Sequence, residues 1–346
     1  METRINTAND KKLPIIRELI DIIINSTRLF KIIQIIPSSG NNQIVIFDDE
    51  PNNTLDIGIT KQAYLSMFKQ CHDHWYSYID DEASSLAELN VAQLEELYLA
   101  TLGYLVTAND HHSIMNLHED IVRYLCNYET DIEIISCFLT SHLKRINKSG
   151  LLWNWMKKLT VQQIYKPLFD EASKDLDGND LYRTMILRTF RSCKNHYMNY
   201  YANNFIHWIM AINYHVLGFG DVNVLYKELQ NQCHDNLLDS SLWINLRNYI
   251  CCLKGSIDTE FVVEEFERIC SSYEIAVPKK VQPKISTINP DDLIVNEVKW
   301  LIKVDCKYKS PFQLLLSTTQ ETSTLGTLKK LISSREDLKG LIDSET

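Results

Sequence analysis

The chain has 346 residues but only ten Gly and eight Pro, under half the share these two residues hold in an average protein. So few turn formers exclude a many-stranded sandwich or barrel, which needs a turn every ~8–12 residues. The balance of 35 basic against 45 acidic residues, a net charge of −10, argues against a nucleic-acid backbone or an anionic membrane surface as partner.

The nine Cys show no CxxC spacing and no signal-peptide pattern precedes them, so they are expected to be reduced thiols of a cytoplasmic (or nuclear) protein. No GxxxxGK[ST] occurs. The one Gly-x-Gly, Gly218-Phe219-Gly220, has Asn223 where a third Gly is needed, so a Gly-rich phosphate cradle is not expected. The apolar stretch Leu13–Ile36 carries Arg17, Glu18, Asp21, Arg28 and Lys31, too many charges to span a bilayer, and no integral membrane protein is expected.

In chain order, Leu13, Ile16, Ile20, Ile23 and Ile24 form an apolar stripe at helical spacing. Ile32–Ile36, ending at Pro37, and Gln43–Phe47 read as a small hairpin, unless the first run continues the preceding helix. From Thr60 the pattern is helical: Thr60–Tyr78, Val91–Ala108, Ile114–Asn127, Asp131–Ile146, Leu151–Leu159, and onward to Cys252. Ala276–Asp291 holds three Pro and reads as a linker. Asn296–Val304 reads as a further helix, and the last thirty residues, rich in Ser and Thr, as a loosely held tail. The expected divisions are 1–59, an N-terminal helix and extended segment; 60–275, a helical-repeat domain; 276–291, a linker; and 292–346, a C-terminal helix and tail.

Trp153, Trp208 and Trp243 each stand early in an apolar helix after a polar string: Lys148-Ser-Gly-Leu-Leu-Trp153, Asn203-Asn-Phe-Ile-His-Trp208 and Leu238-Asp-Ser-Ser-Leu-Trp243. Trp208 and Trp243 are 35 residues apart, the length of a helix–turn–helix unit. Trp153 and Trp208 are 55 apart, one unit plus an insertion that the acidic stretch Asp170–Asp180 would supply, and Met115 precedes Trp153 by 38. The expected architecture is all-α, a TPR-like stack of antiparallel helix pairs, with each large side chain wedged between neighbours as core.

These strings resemble the repeats of the protein prenyltransferase α-subunits, whose core is a Trp preceded by Asn or Ser and Tyr and followed by Arg. Lys148-Ser149 before Trp153, Asn204-Phe205 before Trp208, Ser241-x-Trp243, and a degenerate unit over Asn109–Asn116 carry the likeness. Over about residues 30–255 it is closest to the divergent α-type branch that pairs with the Rab-type β-subunit as the third geranylgeranyltransferase. That branch also has an N-terminal segment like Ile32–Pro37, Ile44–Asp48 and Leu55–Ile59. The family's Arg three residues after each Trp is replaced by Met156, Ala211 and Leu246, with Lys157 and Arg247 one place on.

The resemblance implies an α-type, non-zinc subunit of a heterodimeric protein geranylgeranyltransferase, a transferase subunit and not an enzyme alone. Its partner would be a Rab-type geranylgeranyltransferase β-subunit bearing the zinc and the geranylgeranyl diphosphate, and its protein substrate would end in a cysteine, a SNARE or a small GTPase. Lys148 would then stabilise the leaving diphosphate, a role that suits a fixed ammonium aimed at developing charge, although Gly150 stands where the family has a Tyr. Asn204 and Phe205, followed by Ile206 where the family has His, would lie near the same diphosphate. The rival reading is a non-catalytic helical-repeat scaffold that binds other proteins.

Other clusters are weaker. On a helix Cys71 and His74 share a face while His72 points away, so no metal site is expected in Cys71-His72-Asp73-His74, and no free-standing metalloenzyme. His111-His112 with His118 is assigned to a repeat turn. Asp175–Asp180 fails the register of a calcium loop, with Ser173 at its first position and Thr184 in place of the bidentate Glu.

Overall fold

The computed structural model describes residues 12–37, 42–80, 85–170, 179–217, 224–277, 289–319, 322–338 and 340–343. The Asp175–Asp180 turn (up to residue 178), the Gly218–Gly220 string and most of the linker (278–288) lie outside the described residues. The fold is mostly helical and divides into two compact units, one ending at Leu159 and one starting at Thr160.

The first unit opens with α1 (Pro14–Asn25), which starts on a Pro whose fixed φ suits a first helical position. Its stripe Ile15, Ile16, Leu19, Ile20 and Ile23 is buried, whereas Ile24 is exposed. Three strands follow, β1 (Phe30–Ile36), β2 (Ile44–Asp49) and β3 (Thr54–Thr60). The two apolar runs are strands, but they are not each other's partners. The sheet order is β1-β3-β2, with β1 parallel and β2 antiparallel to β3, so the hairpin lies between β2 and β3 and turns at Asn53 (φ 50°). This sheet is the departure from an all-α fold. Gly58 of β3 has a packing reason: a Cβ there would meet Ile36 Cδ1 at 2.8 Å.

The β1 edge is covered. The His142 amide donates to the Ile33 carbonyl (2.8 Å), and the Thr140 hydroxyl donates to that of Lys31 (3.3 Å). Lys31 is itself buried and pairs with Glu133.

Helices α2 (Lys61–Asp80), α3 (Val91–Thr107), α4 (His112–Leu125), α5 (Tyr128–Leu139), α6 (Lys144–Asn147) and α7 (Gly150–Thr160) complete the unit. Asn90 and Gln93 form a reciprocal capping box at the start of α3, which satisfies two orphan amides. One helix was expected over Asp131–Ile146. The chain breaks after Leu139 instead, because residues 140–142 serve the β1 edge.

The second unit begins with a π-helical turn, Val161–Tyr165, and α8 (Lys166–Asp170). Then come α9 (Asp180–Asn195), α10 (Tyr200–Ile212), α11 (Val224–Asp235), α12 (Ser240–Leu253) and α13 (Glu260–Ser272). The side chains of Asn179, Asn199 and Asp239 cap α9, α10 and α12 by accepting from backbone amides. Helix pairs pack side by side, as a repeat stack requires, with α10 against α9 and α12.

The core holds Trp208, stacked on Phe205 (5.9 Å, 10°) and edge-on to Tyr165 (6.1 Å), with Phe266 at 6.0 Å. The remaining helices are α14 (Pro290–Lys303), α15 (Lys309–Leu316), α16 (Thr322–Ile332) and α17 (Gly340–Asp343). The segment read as a loose tail thus carries helix, and it buries Leu328, Ile332 and Leu338. Lys254 anchors this region, its Nζ donating to Asp291 Oδ1 (2.5 Å) and to the Thr318 carbonyl (3.0 Å).

Candidate functional site

Four helices of the first unit converge on one polar knot. Asp131 of α5 accepts from Tyr98 Oη (2.8 Å, α3) and from Trp155 Nε1 (2.6 Å, α7), and His118 Nε2 of α4 lies 3.1 Å from its Oδ1. His118 Nδ1 lies 2.9 Å from Thr101 Oγ1, and that hydroxyl donates to the Tyr98 carbonyl (2.7 Å). The Tyr98 ring stacks on His118 at 5.4 Å and 15°. Burial, and then the Asp131 charge, push the Tyr98 phenol well above its ordinary pKa, so it stays protonated and donates.

A Thr, a His and an Asp in sequence have the makings of a nucleophilic triad. Here Thr101, His118 and Asp131 are fully buried, and each contact is to another core side chain or the backbone. The knot fastens helices together. His118, assigned from sequence to a repeat turn, belongs to this knot, whereas His111 does sit in the turn and caps α4 through Nδ1 (3.3 Å to the Ile114 amide).

The sequence-derived site residues fall in different environments. Lys148, in the first unit, is half-buried at the C-terminal end of α6, its amide donating to the Lys144 carbonyl (3.0 Å). Asn204 and Phe205, in the second, lie on α10; Asn204 is exposed, and Phe205 is fully buried against Trp208. Met115, Trp153, Trp208 and Trp243 are all buried. Trp153 Nε1 donates to the Asn147 carbonyl (2.8 Å), and Asn147 Nδ2 to that of Leu139 (2.7 Å), so this Trp also pins the turn before α7.

In the 71–74 string, Cys71 is in the core and His72 packs at a tilt against Tyr76 (4.4 Å, 36°) and contacts Asp73 (3.4 Å). Burial alone pushes the Cys71 thiol up to about 12, and chiefly burial does the same for Cys270, also about 12. Cys126 is exposed at the end of α4. At neutral pH a chromogenic disulfide reagent should therefore label Cys126 in a fast phase, Cys251 more slowly, and the other seven only on unfolding. Cys126→Ser should remove the fast phase, and its persistence would show that a thiol read as buried is accessible.

The surface feature that stands out is an end face of the second unit, where the α9–α10 and α11–α12 turns meet. Tyr197, Met198, Tyr200, Tyr201 and Leu238 are exposed there, from 40% for Tyr201 to 67% for Tyr200. The two turns are tied together. Tyr197 Oη donates to the Leu238 carbonyl (2.9 Å), and Asp239, the cap of α12, accepts from the Met198 amide (3.4 Å). One helical turn inward, Asn245 Nδ2 donates to Asn203 Oδ1 (2.9 Å) and to its carbonyl (3.1 Å). Met198 holds φ 52°, a left-handed conformation that turns the chain between helices. The signal was present in the sequence as Tyr197-Met-Asn-Tyr-Tyr201, an aromatic run at a helix start, beside the Asn199 cap.

Comparison with known proteins finds a different similarity. Residues 9–140 match the ECM9 N-terminal domain and residues 152–273 the ECM9 middle domain. The chain is also 27% identical over 292 residues, 80% of its length, to Protein ECM9 of Saccharomyces cerevisiae, 70% of which is covered. The prenyltransferase α-subunit resemblance is overturned, and with it the geranylgeranyltransferase function, the Rab-type β-subunit partner and the cysteine-terminated protein substrate. The physical reason lies in the motif. A Trp at the head of a helix after a polar turn is what any stack of helix pairs needs, and Trp153, Trp208 and Trp243 are core wedges without regard to family. Over residues 9–140 and 152–273 this chain is similar to two successive domains of ECM9, and the prenyltransferase α-subunit resemblance gives way to that similarity.

Proposed function

We propose that this chain is a non-catalytic helical scaffold that binds other proteins, and that the α9–α10/α11–α12 end face is a principal contact. The observation that carries the reading is the exposure of three Tyr, one Met and one Leu on two turns fastened to each other by hydrogen bonds and on the first residues of α10. Tyr and Met are enriched in protein interfaces, and Tyr is frequent among the residues that dominate binding energy. An aromatic patch held in place loses little conformational freedom on binding, which favours affinity.

The test is quantitative recovery of co-purifying proteins on the tagged chain, compared with a Tyr200→Ser/Leu238→Ser variant. Recovery of specific partners should fall at least tenfold, the effect of about 1.4 kcal/mol, while the far-ultraviolet circular dichroism stays unchanged. The same partners at the same yield would remove this face from the account.

A further inference from the structure

We propose that the outer edge of β2 takes up an extended segment of another protein as a fourth, antiparallel strand, and that this segment reads basic and then apolar from its N-terminus. The proposal rests on the scaffold reading and names the chemistry of one partner.

The two edges of the sheet are treated differently. Backbone and side-chain donors from residues 140–142 cover β1. Along β2, among the described residues, the backbone has no hydrogen-bond partner other than β3. Ile46 and Phe47 at its centre are 55% and 66% exposed. Consecutive strand residues point to opposite faces, so both faces are open at this point. Such an edge is a template for a joining strand, and proteins usually guard it with Lys, Pro or a bulge. Ile44–Asp49 contains neither Lys nor Pro, and its register with Ile59–Thr54 runs without a bulge.

Charge chooses the occupant. Beyond Phe47 come Asp48, Asp49 and Glu50, with Asp48 and Glu50 exposed. Among the described residues Arg28 is the cation paired at this end: its Nε donates to Asp48 Oδ1 (2.6 Å), its Nη2 to Asp48 Oδ2 (3.1 Å), and it stands 3.8 Å from Glu50. The end therefore keeps a negative excess. In antiparallel addition the N-terminal half of the incoming strand lies against it, so Lys or Arg there would be matched and the following apolar residues would meet Ile44–Phe47. A second copy fits less well. β2 against β2, paired about Ile46, sets Asp48 opposite Ile44 of the other copy, with no cation on either strand.

The test uses a labelled synthetic peptide in which two lysines precede Val-Thr-Val-Thr-Val, read by fluorescence polarisation on the full chain. It should bind saturably and slow amide exchange across residues 44–49 at least tenfold. A peptide with two glutamates for the lysines should bind at least tenfold more weakly, and Glu50→Lys should narrow or reverse that preference. Equal affinity for both peptides, or unchanged exchange at 44–49, overturns the proposal. So does a concentration-dependent dimer that slows those amides without peptide. If the peptide fails while partner recovery still depends on Tyr200 and Leu238, this proposal falls and the scaffold reading stands.

Discussion

Asp131→Ala is expected to destabilise the first unit by about 4 kcal/mol, because it strands buried donors instead of merely deleting a contact. Tyr98 Oη and Trp155 Nε1 would each lose an acceptor and His118 Nε2 its neighbour, all of them buried. An unsatisfied buried polar group costs ~1–3 kcal/mol, and removing one side of a buried charged network costs ~3–5. The loss should appear as a fall of roughly 10 °C in the melting transition followed by near-ultraviolet circular dichroism. Asp131→Asn keeps an oxygen acceptor and most of the volume, so its cost should be well below that of Ala. Asp120→Ala, at an exposed position, should stay within about 0.5 kcal/mol. A null effect of Asp131→Ala would mean that the knot is not what joins α3, α4, α5 and α7.

Gly103→Ala is the second large effect, and here two terms compete. Replacing a helical Gly by Ala gains up to ~1 kcal/mol of helix propensity. The new Cβ, however, would stand 2.3 Å from Cys71 Sγ and 3.2 Å from Ile16 Cγ1, where α1, α2 and α3 meet. Non-bonded atoms sit at ~3.5–4.0 Å, so α3 must move away and the overpacking cost of ~1–3 kcal/mol wins. The decisive observation is the double-mutant cycle. Cys71→Ala removes the clashing sulfur, so Gly103→Ala should be near neutral or stabilising in that background, giving a coupling of at least about 1 kcal/mol in urea unfolding. Strict additivity would mean that the close approach at Gly103 does not govern the packing of these helices.

Much of the helical content was legible because its causes are local. Scarce Gly and Pro and apolar residues at helical spacing mark α2, α3, α4 and α7 to within a few residues. The strands were legible as segments but not as a sheet. Whether Ile32–Ile36 pairs with Gln43–Phe47 or with Leu55–Ile59 depends on packing across the chain, and nothing in either run specifies it. The break after Leu139 has no Gly or Pro to announce it, since it is set by an edge strand more than a hundred residues earlier. The knot was hidden for the same reason: Tyr98, His118, Asp131 and Trp155 lie on four helices and form no motif. The Trp strings reported packing correctly and family wrongly, because the constraint they record belongs to stacked helix pairs in general.

The scaffold reading is tested most directly by footprinting tyrosines in the chain when it is free and when it is captured with its partners. Tyr200 and Tyr201 are exposed on the end face, and Tyr124 is exposed on α4 of the first unit. In the captured complex, hydroxyl-radical labelling of Tyr200 and Tyr201 should drop severalfold while that of Tyr124 is unchanged. Equal labelling of Tyr200 and Tyr201 in both states would contradict the account.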